Sequence, residues 1–127
     1  MLRTASGDRL QFLLAHQFRL VEDKPPGWRV STVAYDYRLN DDTGREILSW
    51  HWHPAPLKGV DYPHLHVAAA PPGRHAHLPT GRVSVESVLR LLLTDLKVLR
   101  TRDHENDFED VLDASERDFI EYRSWHG

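Results

Sequence analysis

The order of patterns in this 127-residue chain predicts an α+β domain, an antiparallel four-stranded β-sheet with two C-terminal helices packed on one face. Three observations carry that expectation. Four segments before position 70 alternate apolar and polar residues as half-buried strands do. Proline, glycine and asparagine punctuate them, and two segments after position 84 repeat apolar residues at helical spacing. The length fits the roughly 100–200 residues of one domain, so a single unit over residues 1–127 is expected.

The first strand is read from Leu10, Phe12, Leu14, His16, Phe18 and Leu20, which share one face of an extended chain. Pro25-Pro26-Gly27 breaks it. Trp28 to Leu39 is rich in β-branched and aromatic residues, with Val33, Tyr35, Tyr37 and Leu39 in one parity, and reads as the second strand. Asn40-Asp41-Asp42-Thr43-Gly44 is a turn. Arg45 to His53 sets Leu48, Trp50 and Trp52 against Ile47, Ser49, His51 and His53, and forms the third. Pro63 to Ala69 sets Leu65, Val67 and Ala69 against His64 and His66, and forms the fourth. Ala70 to Gly81 holds Pro71, Pro72, Gly73, Pro79 and Gly81 and is expected to be a loop. Ser84 then caps a helix, Glu86 suits its positive first turn, and Val85, Val88, Leu89, Leu92, Leu96 and Leu99 form its buried stripe. A second helix after Asp107 carries Phe108, Val111, Leu112, Ser115, Phe119 and Tyr122 on one face and acidic residues on the other.

Composition narrows the chemistry. Zero cysteines exclude disulfides, thiolate nucleophiles and zinc ribbons. No apolar run approaches the ~18 residues of a membrane-spanning helix, and Met1 to Asp8 has no apolar core of a secretory signal, so a cytoplasmic protein without membrane contact is expected. Residues 1–99 balance twelve Lys and Arg against ten Asp and Glu, whereas residues 100–127 carry four against nine, giving the overall −3. That acidic tail excludes a chain-wide basic footprint for nucleic acid and leaves room for a local one.

Nine histidines are the functional lead, and six of them fall between positions 51 and 77. His51 with His53, and His64 with His66, are same-face pairs on their strands. If those strands are antiparallel neighbours, the four imidazoles share the uncovered face of the sheet. Two chemistries suit such a patch. In metal-free RNA cleavage one imidazole removes the 2′-hydroxyl proton and another protonates the leaving oxygen, with His64 and His66 as the pair and Arg82 stabilising the phosphorane. Arg74 and His77 would then hold phosphate, Tyr35 or Tyr62 would stack on a base, and no cofactor is needed. Alternatively, His51, His53, His64 and His66 ligate one divalent transition metal, with Asp36, Glu46 and Asp61 as the nearest carboxylates by sequence. A third reading is a non-catalytic interaction module, a homodimer through its aromatic strands. There is no phosphate-cradling glycine loop, no Gly-x-Ser-x-Gly elbow and no His-Glu-x-x-His helix. His16, on an apolar face, reads as a hydrogen-bonded core histidine.

The succession Tyr35-Asp36-Tyr37-Arg38-Leu39, Asp42-Thr43-Gly44-Arg45-Glu46-Ile47-Leu48 and Tyr62-Pro63-His64-Leu65-His66, followed by a leucine-rich helix, resembles the TumE-like toxin family of prokaryotic toxin-antitoxin systems. The resemblance spans residues 30 to 100. It implies a small cytosolic toxin, an activity of RNA cleavage or another block on translation, and an antitoxin protein that covers the positive patch or competes with RNA for it.

Overall fold

The computed structural model describes residues 1–23, 27–54, 60–68, 76–100 and 108–125. In chain order its strands are β1 (Leu2–Arg3), β2 (Arg9–Asp23), β3 (Gly27–Asp41), β4 (Glu46–Trp52), β5 (His64–Val67), β6 (Leu78–Pro79) and β7 (Arg123–Trp125); α1 (Val85–Thr94) and α2 (Phe108–Tyr122) precede β7. β1 to β6 lie side by side in sequence order, each antiparallel to its neighbour. β7 pairs with β3 in parallel, Thr32 opposite Trp125.

The α+β class, the antiparallel sheet and both C-terminal helices are therefore present, and the four expected strands are β2 to β5. The four-strand count is corrected, because six strands form the antiparallel path and β7 joins β3 beside it. The three additions are two or three residues long, too short for alternation to register. Leu78–Pro79 falls inside the stretch expected to be loop. Proline is tolerated there because β6 ends the row of strands, where a missing N–H breaks no ladder on its open side. The turn between β3 and β4 forms as expected. Asp41 Oδ1 accepts from the N–H groups of Thr43 and Arg45, and Gly44 takes the positive φ of 84° that this turn requires.

One face of the sheet is covered by helix. Tyr35, Tyr37, Trp50 and Trp52 pack with Val88 of α1, and Leu10 and Leu39 pack with Leu92. Burial of such side chains contributes roughly 2–3 kcal/mol each. Ser84 caps α1 by accepting the Ser87 N–H. The helix stops at Thr94 instead of running to Leu99, because the chain reverses through Lys97 at φ 51°. Leu96 and Val98 then reach the second core cluster from outside the helix, and Val98 bridges to Thr4.

α2 buries Leu112 and sets the Phe119 ring at a tilt against Trp125, but Val111, expected on its inner face, is exposed. Its acidic side is not merely solvated. Glu109, Asp113 and Glu116 all grip the Arg90 guanidinium of α1 at 2.9–3.1 Å. Glu86 is buried and bound by Ser115 and Arg123, tying α1 to α2 and β7. Burial would raise the Glu86 carboxyl, but those bonds hold it below the ordinary range. Among the described residues no helix is long and apolar enough to cross a membrane.

Candidate functional site: a histidine-lined sheet face

The register of three strands assembles the site. β4 and β5 pair His51 with His64 and Ser49 with His66, while Trp50 and Leu65 turn to the core. β3 lays Asp36 opposite His51. β6 pairs Pro79 with His64, which brings the preceding His77 alongside. The alternation expected from sequence places four of these imidazoles on the face opposite the helices, and the pairing of β3 and β6 adds Asp36 and His77.

The rings are in contact. Centroid separations are 4.9 Å for His64 and His66, 4.9 Å for His64 and His77, and 4.7 Å for His66 and His77. His51 stands 5.0 Å from His66 and 5.5 Å from His64. Two groups of three donors result: His64, His66 and His77 in one, and Asp36, His51 and His53 in the other, with the donor atoms of each group within 4.8 Å of one another. The four-histidine set expected for a metal is therefore divided between the two groups, and His77 completes the first.

Two rings are fixed by hydrogen bonds. His64 is buried and its Nδ1–H donates to the Tyr62 carbonyl at 2.9 Å, which leaves the Nε2 lone pair as its donor to a ligand. His51 Nε2 hydrogen bonds Ser49 Oγ at 2.9 Å, and its Nδ1 lies 3.5 Å from Asp36 Oδ1. Asp36, His51 and Ser49 stand in the order of a hydrolase relay, yet Ser49 is 0% exposed and closed to any substrate. The array orients the His51 ring.

The surroundings of His51 and His66 favour their neutral forms. Burial, then the neighbouring charges of His64 and His77, hold His66 below its ordinary 6.5. Burial lowers His51 as well, against the pull of Asp36. Burial would raise the Asp36 carboxyl, but the Arg38 hydrogen bonds and the facing His51 bring it below the usual carboxylate range.

The other residues singled out in the sequence separate into those beside the patch and those away from it. Tyr62 borders it, 39% exposed with its ring 5.9 Å from that of His64. Tyr35 is 1% exposed, stacked on Tyr37 with its hydroxyl accepting the Val83 N–H, so its ring is not open to a base. The Arg82 guanidinium lies over the Trp52 ring, whose own position is in the core under the helices. Arg74 lies outside the described residues. Glu46 acts on His66 only as a nearby charge, whereas Asp36 approaches a ring directly. His16 bonds Thr32 at 2.8 Å, as expected of a core histidine.

The part played by His77 in the first donor group was missed in the sequence because its two-residue strand has no periodicity of its own. Ser49 was legible as sharing the face of His51, and Asp36 as one of three carboxylates near the histidines by sequence. No family model matches the chain, and no match was found among curated proteins or solved structures. The class rests on the fold and this face: an α+β protein with a histidine-lined open sheet.

Proposed function

We propose that this face is a transition-metal centre in which His64, His66 and His77 hold one divalent ion, with zinc the ion best suited to three imidazoles. The observation that carries the reading is the convergence of their ring nitrogens within 4.8 Å around a His64 whose other nitrogen is tied to a backbone carbonyl. A tetrahedral ion with bonds of ~2.1 Å separates its ligand atoms by about 3.4 Å, so small side-chain rotations close the set. His64 forms the buried base and His77 the exposed rim, which leaves a coordination position toward solvent. Three histidines and an open position support hydrolytic chemistry, since such an ion lowers the pKa of bound water toward ~7. Asp36 and His51 stand beside it as an anion and a proton acceptor.

A second reading is the metal-free ribonuclease of a TumE-like toxin, with His64 and His66 dividing acid and base roles and Tyr62 stacking on a base. It is favoured by the 4.9 Å separation of the two rings and the exposed Tyr62 at their edge. One experiment separates the readings. Untagged protein is assayed for metal content and for RNA cleavage with and without chelator. The metal centre predicts about one equivalent of zinc, lost in His64→Ala, His66→Ala and His77→Ala. The toxin reading predicts chelator-resistant cleavage and growth inhibition, both abolished in His64→Ala and His66→Ala. Wild-type protein binding no more zinc than a variant with His64, His66 and His77 all replaced by alanine removes the metal centre.

A further inference from the structure

Away from the histidines, β2 leaves an open edge. It pairs with β1 only at Arg9 and Leu10, so among the described residues the stretch from Phe12 to Glu22 has no strand on its outer side. This edge is long and apolar. From Phe12 to Val21 it contains no proline and one charged residue, Arg19. Leu13, Leu14, Phe18 and Leu20 are 48–60% exposed, Leu13 on the histidine face and the other three on the face that the helices cover at Leu10. The even-numbered apolar face expected for this strand is thus buried at Leu10 and open at Leu14, Phe18 and Leu20, with His16 half-buried between them. An uncovered edge of this make-up is a template for pairing with another chain.

We infer that a second copy of this chain closes the edge, β2 pairing antiparallel with β2 of the copy about a twofold axis at Gln17, so that two sheets join into one. The argument for a second copy is the symmetry of the strand itself. Leu13-Leu14-Ala15-His16-Gln17-Phe18-Arg19-Leu20-Val21 reads as apolar, apolar, small, ring, Gln, ring, charge, apolar, apolar. A twofold axis at Gln17, which is also the midpoint of the open stretch, sets Leu13 opposite Val21, Leu14 opposite Leu20 and His16 opposite Phe18. Arg19 meets Ala15, Glu22 meets Phe12, and no like charges oppose. Moving the axis to Arg19 sets one guanidinium against another. Directly opposed residues share a face, so each exposed leucine, Val21 and Phe18 gains a cross-strand neighbour on its own face. Main-chain hydrogen bonds along the joined edge supply affinity, and the side-chain pattern supplies register.

Sedimentation velocity of the full chain from low to high micromolar concentration tests this. Wild type is expected at twice 14.7 kDa. Leu20→Lys, a change at a side chain already exposed in one copy, is expected to give a monomer with an unaltered circular dichroism spectrum. The double variant Leu14→Asp, Leu20→Lys places opposite charges across the axis twice and is expected to restore the dimer. A wild-type monomer throughout, or a dimer indifferent to Leu20→Lys, overturns the inference. Failure of the double variant to recover overturns the Gln17 register.

Discussion

Burial first, and then the nearness of other imidazoles, gives His51 and His66 their character at the residue scale. Burial lowers His51 and His66, and neighbouring rings lower them further; burial and Arg123 lower His16 on the other side of the sheet. Unfolded chains titrate these groups near 6.5, while the folded protein keeps them neutral to lower pH. Between those values the unfolded state binds more protons, so stability is full above pH 6.5 and falls as the pH drops through that window. Thermal unfolding in chelator-containing buffer is expected to show a midpoint that declines below pH 6.5. The decline should flatten in a His16→Gln, His51→Gln, His66→Gln variant, and an unchanged slope would contradict the assignment.

At the scale of elements, the end of α1 shows how one backbone angle redirects a segment. The leucine stripe continues past Thr94 in sequence, yet Lys97 adopts φ 51° and Leu96 and Val98 reach the second core cluster from outside the helix. A side chain in the left-handed region costs roughly 1 kcal/mol that glycine avoids. Lys97→Gly is therefore expected to raise stability by up to about 1 kcal/mol in urea unfolding. Destabilisation would show that the lysine side chain holds contacts outweighing the strain. β2 shows the complementary effect, since its alternation describes a strand with one apolar face but not how much of that face the helices reach.

Across the whole molecule, the helical layer and the sheet are joined by a buried ion pair. Glu86, 2% exposed, receives hydrogen bonds from Ser115 of α2 and Arg123 of β7, and its second oxygen has no partner among the described residues. Removing one member of such a pair leaves the other charge desolvated, at a cost of about 3–5 kcal/mol. Glu86→Ala is expected to lower stability by that order in urea unfolding. Glu86→Gln, which preserves the Ser115 bond, should cost less. Amide exchange should quicken first in α2 and β7, which depend on Arg123, and uniform quickening would deny the link its local role.

Alternation and spacing in the sequence determined the α+β class, the four main strands, both helices and the face on which His51, His53, His64 and His66 stand. Those features follow from a period of two or of 3.6 residues, which each local segment expresses on its own. Tertiary structure decided the rest. Strand order brought His64 beside His77 through two residues, Leu78 and Pro79, that no periodicity marks. The depth of helix cover enclosed Tyr35 and Glu86 while leaving Phe18 and Leu20 exposed. Local chain chemistry states which way a side chain points along its own element, whereas what it meets there depends on a partner distant in sequence.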